Sequence, residues 1–305
     1  MLRRLRIVGM KYCLPSKVLH FGNQTRYRLS TGETQLTLAT NAIKEVLECT
    51  NTKILDIDLI VSACAVPYQL IPNMASLIYE QFNDYRGIPC IDINTTCTSF
   101  ISTLDIVSYM IDAKRYKKVL ILSSDVPSKA INNKNKETYE LFSDCAVATI
   151  VEACDEEVGI LYSCQKTFPH GAHDTEIIGG AAGLTVHELE KSNIDNYYFH
   201  MNGINAIRLT LANLKDVYND ILDNVDKIDY MIPHQASKIL STIIKKSDIN
   251  TPYINIVKDY GNMVSASVPF ALIKAAESNY IKRGDNILLI GTAAGLTING
   301  LVIKY

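Results

Sequence analysis

Cys97 stands in the setting most suited to chemistry among the eight cysteines of this 305-residue chain. A short apolar segment ends near Ile93, Asn94-Thr95-Thr96 follow, and Cys97 opens a helical pattern. A thiol at a helix start meets unpaired backbone N–H groups and the positive end of the helix dipole. Both favour the thiolate, the nucleophilic form. His234 follows an apolar strand pattern that ends at Pro233, a position where α/β sheets gather ligands and catalytic groups. Imidazole is the usual base or hydrogen-bond donor near neutral pH. Asn262 follows Gly261 at a turn ahead of another helical pattern. Beside a histidine, its amide would supply a second neutral donor to a developing enolate. Residues 291–300, GTAAGLTING, join two strand patterns through small side chains. A main-chain N–H there could reach an oxyanion. Each residue also has a plainer reading: a buried cysteine, a structural histidine, a helix cap, a tight turn.

The elements that must position these residues alternate between apolar strand patterns and amphipathic helical ones. The first half reads as strands at 5–8, 58–63, 90–93 and 118–123, with helices at 33–48, 73–82 and 98–112. The second half reads as helices at 200–222, 236–246 and 265–280, with strands at 228–232, 253–256, 286–290 and 296–303. This rhythm predicts an α/β fold with buried, largely parallel sheets. It also suggests two duplicated halves, although no repeat is legible residue by residue. The polar stretches 132–139 and 165–196 read as excursions over a site.

Hydrophobic residues make up 48% and charged residues 20%, with a net charge of −2. That balance fits a soluble globular protein and gives no reason to expect nucleic acid as a partner. No apolar run approaches the roughly 20 residues that span a bilayer, and the N-terminus reads as a strand, not a signal peptide. The cysteines form no C-x-x-C pair, as expected of a protein in a reducing cytoplasm. His170 and His173 have no cysteine or carboxylate at ligand spacing, so no metal site is expected. No phosphate-binding glycine fingerprint is present, and no cofactor is expected.

In order and context, four blocks form a pattern. Asp92–Phe100 (DINTTCTSF), Pro233–Ser237 (PHQAS), Gly261–Pro269 (GNMVSASVP) and GTAAGLTING resemble segments of the ketoacyl-synthase III family of the thiolase superfamily. The resemblance runs over nearly the whole chain. It implies a thiolase fold: two duplicated βαβαβαββ halves in a five-layer α-β-α-β-α arrangement. Residues 1–155 would carry the nucleophile, and 156–305 the histidine and asparagine.

It also implies that Cys97 takes an acyl group from acyl-CoA or acyl-ACP. His234 and Asn262 would then drive decarboxylative condensation with malonyl-ACP, in fatty-acid or secondary-metabolite synthesis. The N–H groups of Cys97 and Ala294 would form the oxyanion hole. A homodimer is implied, with Ile71 closing the acyl pocket across it. Acyl carrier protein, being acidic, would meet a basic patch for which Arg208 and Lys238 are candidates.

Departures from the family pattern concern the coenzyme A region. The chain lacks tryptophan, and Phe21–Gln35 looks shortened. Arg26 and Arg28 are expected to replace part of that grip, and Ser237 stands where asparagine is usual. These changes leave room for two alternatives. One is an acyltransferase that does not decarboxylate; the other is a partner subunit of a heterodimeric synthase.

Overall fold

A computed structural model describes residues 2–83, 86–190 and 193–305. The first half of the chain forms β1 (Arg3–Arg4), β2 (Arg6–Cys13), β3 (Lys17–Phe21), β4 (Gln24–Arg28), α1 (Gln35–Cys49), β5 (Leu59–Ser62), α2 (Met74–Glu80), β6 (Cys90–Asp92), α3 (Ser99–Asp112), β7 (Lys118–Asp125), α4 (Lys136–Tyr139) and β8 (Cys145–Glu152). The second half forms β9 (Gly159–Thr167), β10 (Thr175–Glu176), β11 (His200–Met201), α5 (Gly203–Leu222), β12 (Tyr230–Pro233), α6 (Leu240–Lys246), α7 (Val257–Tyr260), α8 (Ser267–Glu277), β13 (Asn286–Ala293) and β14 (Thr297–Lys304).

Two five-stranded sheets result, ordered β2-β8-β7-β5-β6 and β1-β9-β14-β13-β12. Strand alternation explains the layers, because successive side chains point to opposite faces. In β7, Val119 and Ile121 join a central core with Phe100, Leu104 and Val107 of α3. Their neighbours Leu120 and Leu122 face the other way, onto Leu38, Ile43 and Val46 of α1. In β13, Ile287 and Leu289 face the centre and meet Val268 and Leu272 of α8. Leu288 and Ile290 face outward, against Leu214 and Ile221 of α5. Thus α3 and α8 form a buried middle layer, each sheet covers one side of it, and α1–α2 and α5–α6 close the outside. This is the thiolase fold in five layers.

Three expectations are corrected. The sheets are mixed: β5 pairs in parallel with β6 and β7, and β12 with β13, while β2–β8, β7–β8, β13–β14 and β14–β9 are antiparallel. The segment at 253–256 forms only an isolated bridge, Met231 to Tyr253, before α7. The helix expected from Ala236 begins at Leu240, which leaves 236–239 as a loop. The start of the block 21–35, which looks shortened in sequence, lies in the β3–β4 hairpin.

The first strand crosses to the other half. Arg3 and Arg4 pair with β9, and the Arg3 guanidinium donates to Asp105 of α3 at 2.6 Å and to Ser163 of β9 at 2.9 Å. Among the described residues, no helix is long and apolar enough to cross a membrane.

Candidate active site

Each central helix starts the same way. Before α3, the Thr96 N–H donates to Asn94 Oδ1 at 2.8 Å, and the Thr95 N–H to Ser99 Oγ at 3.0 Å. Before α8, the Val264 N–H donates to Asn262 Oδ1 at 2.8 Å, and the Met263 N–H to Ser267 Oγ at 2.8 Å. Thr96 and Val264 both hold positive φ, at 52° and 53°, an uncommon conformation for β-branched residues that costs about 1–3 kcal/mol each. Each turn continues as a short 3-10 segment, Thr96–Thr98 and Val264–Ala266. Cys97 therefore sits on a sharp elbow ahead of α3, where the sequence suggested a plain helix start. Asn262 opens the equivalent elbow ahead of α8.

The remaining groups arrive from the second sheet. His234 directly follows β12, and its N–H donates to Ile290 O at 2.7 Å. Gly291 of β13 is wedged between the two parts: a Cβ there would lie 2.8 Å from His234 Cβ and 3.0 Å from Thr98 Cγ2. No larger residue leaves both in place. Ala294 lies in the turn between β13 and β14. The main-chain amides of Cys97 itself and of Ala294 act on the Cys97 thiol, favouring its thiolate. Cys97, His234, Asn262 and Ala294 all line one cavity of about 540 Å³.

Electrostatics revise one expectation. Cys97 is partly exposed and lines the cavity, and burial pushes its thiol up to about 12. Asp125 adds to the rise, and the two amides oppose it without prevailing. The resting sulfur is therefore a thiol, not the thiolate predicted from the helix start. His234 is 3% exposed, and burial lowers its pKa to about 4. Its Nδ1 is buried without a partner, so no carboxylate offsets that burial. The imidazole is neutral at ordinary pH, able to take a proton or donate one. Asn262 has its carbonyl oxygen held by the Val264 N–H, and its Nδ2 lies 3.4 Å from Ala236 O. That anchoring turns the amide's donor end to the cavity.

Asp125, which the sequence reading missed, ends β7 beneath this site. Its carboxylate accepts from the Ala65 and Val66 amides at 3.1 and 2.9 Å, from the Ser265 amide at 3.1 Å, and from the Ser265 hydroxyl. It stitches the two halves together, and burial raises its pKa to about 6. The signal was an acidic residue closing an otherwise apolar strand.

The other candidate residues fare differently. Arg26 is fully buried, and its guanidinium donates to Glu140 O, Lys258 O, Thr25 O and Gln24 Oε1. It supports the Gly261 turn, where an added Cβ would lie 2.6 Å from Arg26 Cδ. This corrects its expected place in a coenzyme A grip, because the guanidinium is buried and its donors are spent on three main-chain carbonyls and Gln24. Arg28 is likewise buried, stacked on Tyr139 and donating to Tyr139 O. Ser237 lines the cavity. Lys238 is exposed and pairs with Glu140 at 3.4 Å. Arg208 is exposed on α5. Ile71 is 85% exposed on a loop whose Leu70 is 69% exposed.

Comparison with known proteins agrees with this frame. Residues 91–167 match the family model 3-Oxoacyl-[acyl-carrier-protein (ACP)] synthase III, and residues 222–305 match its C-terminal model. A β-ketoacyl-ACP synthase III of Clostridium kluyveri is 32% identical over 285 residues, covering 91% of this chain and 86% of that protein. The chain belongs to the β-ketoacyl-ACP synthase III family. It is an acyltransferase of the condensing type. A synthase III of Clostridium acetobutylicum is 30% identical over 290 residues, with the same shares covered. The solved synthase III of Aquifex aeolicus is 26% identical, with a TM-score of 0.86 over 99% of this chain and 100% of that one. The Aquifex aeolicus synthase III thus has the same fold as this chain.

Proposed function

We propose that this chain makes a β-ketoacyl thioester in fatty-acid synthesis by acylating Cys97 and then condensing the acyl group with a malonyl thioester. One observation carries the reading: Cys97, His234 and Asn262 line one cavity together with Ala294. Acylation begins with a thiol. Cys97 Sγ attacks the thioester carbonyl as neutral His234 takes its proton, and the two amides hold the tetrahedral oxyanion. Collapse breaks the old carbon–sulfur bond, and the proton leaves with the departing thiol. The malonyl thioester then enters, and His234 and Asn262 donate to its carbonyl oxygen. As carbon dioxide departs, the enolate they stabilise attacks the acyl carbon and expels Cys97 as the thiolate, which takes a proton from water to restore the resting thiol. Two neutral donors suit this step, because a charged acid would protonate the enolate.

The substrates of this reading are acyl-CoA or acyl-ACP as donor and malonyl-ACP as extender. Arg208 and Lys238 are the proposed contacts for acidic carrier protein. A second copy of the chain is the proposed cover for Leu70 and Ile71, since apolar side chains this exposed are otherwise left in water.

Intact-protein mass spectrometry tests the chemistry. Acyl thioesters should add one acyl group to the wild type and none to Cys97→Ala. Asn262→Ala should acylate but lose malonyl decarboxylation by about 100-fold or more. Acylation without carbon dioxide release in the wild type would instead mark an acyltransferase that does not decarboxylate.

A further inference from the structure

Asp125 is a buried carboxylate near a nucleophile that it hinders. Its charge adds to the rise in the Cys97 thiol, so it works against loss of the thiol proton. Burial of a charge is itself unfavourable unless hydrogen bonds offset it. Activation of the sulfur therefore does not account for this group, and its hydrogen bonds point elsewhere. Oδ1 accepts from the Ala65 and Val66 amides at 3.1 and 2.9 Å, with the Ala65 N–H also 3.3 Å from Oδ2. Oδ2 accepts from the Ser265 amide at 3.1 Å and from the Ser265 hydroxyl.

Each oxygen leads to one elbow. From Oδ1 the path runs through Ala65, whose carbonyl accepts from Asn94 Nδ2 at 2.9 Å, while Asn94 Oδ1 holds the Thr96 N–H ahead of Cys97. From Oδ2 it runs through Ser265 to its neighbour Val264, whose N–H holds Asn262 Oδ1 at 2.8 Å. Val264 keeps its positive φ only while the surrounding structure fixes the turn. The grip of Asp125 on both donors of Ser265 supplies that constraint. One carboxylate thus sets the placement of Asn262 relative to Cys97.

We propose that Asp125 is a positioning residue for the decarboxylation step: by clamping Ser265 it makes the Val264 turn hold the Asn262 amide toward the malonyl thioester carbonyl. The inference rests on the proposed function and adds to it a group that acts only through Asn262. An asparagine at this position separates the two ties, because it keeps one acceptor oxygen and gains an NH2 donor. Its oxygen stays with the Ala65 and Val66 amides, since neither of those donors can turn away. Its Nδ2 then faces Ser265, whose hydroxyl can reverse and accept but whose N–H cannot. The mismatch falls on the Asn262 elbow, while removal of the charge eases ionisation of Cys97.

The test reads the two steps separately on the full-length protein. Acetyl-, butyryl- and octanoyl-CoA serve as acyl donors, followed as intact mass, and carbon dioxide release from carboxyl-labelled malonyl-ACP reports the second step. Asp125→Asn should lose release by about tenfold or more while acylation falls by less than about threefold. In an Asn262→Ala background the same substitution should have no further effect on release, because the amide it acts through is already gone. Ser265→Ala keeps the carboxylate and removes one donor; it should show the same split, with release down about threefold or more, and it serves should Asp125→Asn not fold. Equal losses in both steps, unchanged release, or additive losses in the double variant would overturn the inference and leave the proposed function standing. Wild-type protein that acylates without releasing carbon dioxide, or that does not acylate at all, would remove both.

Discussion

At the scale of single residues, the sulfur is the instructive case. Its helix-start position predicted an acidic thiol, yet burial and Asp125 push Cys97 up to about 12. Relative to an ordinary cysteine, its resting thiolate fraction falls. Iodoacetamide at neutral pH should therefore modify exposed Cys49 well before Cys97. Peptide mapping reads the order, and early loss of Cys97 would mean that the amides outweigh burial. The identities of Cys97, His234 and Asn262 were legible because chemistry restricts residue type. The charge state was not legible, because it depends on Asp125 and on enclosure by parts of the chain distant in sequence.

Elements show where the sequence reading was stronger than it seemed. The N-x-x-[CS]-x-S pattern at Asn94–Ser99 and Asn262–Ser267 is a residue-level repeat, and it builds two matched elbows. The same offset relates β7 to β13. Periodicity does not display it, because the repeat is carried by hydrogen-bonding positions, not by apolar ones. Helix and strand cores were readable from periodicity. The late start of α6 was not, since a polar rim at 236–239 satisfies helix propensity as well as loop. Arg26 and Arg28 misled for a related reason: arginine usually signals an exposed charge, and here both brace main-chain carbonyls. Gly291 is the element-scale test. Gly291→Ala forces a methyl against His234 and Thr98. Activity should fall about 10–100-fold through misplaced groups, while stability drops only about 1–3 kcal/mol. Full activity in this variant would show that the contact yields without moving the imidazole.

Over the whole molecule, Asp125 couples the two halves to pH. Its folded pKa of about 6 stands above the ordinary aspartate value of about 3.9. The group therefore favours folding below the unfolded value, and that contribution is lost as pH rises through about 6. The loss amounts to about 3 kcal/mol. Denaturant titrations of the wild type and of Asp125→Asn should differ by a stability gap that changes by about that much between pH 4 and pH 7. A gap independent of pH would mean that Asp125 is ionised throughout.

The crossing of β1 has a further consequence for chain connectivity. A single cut in the exposed Asp155–Glu157 turn would yield two fragments, one holding the thiol and the other the imidazole. They would not part freely, because the shorter sheet partner, Arg3–Arg4, belongs to one fragment and is woven into the other. The shared α3–α8 layer would have to be torn open along its full length. Covalent continuity between the halves is thus redundant once folding is complete, and enzymatic turnover by a nicked chain becomes a direct gauge of how firmly the two pieces grip one another.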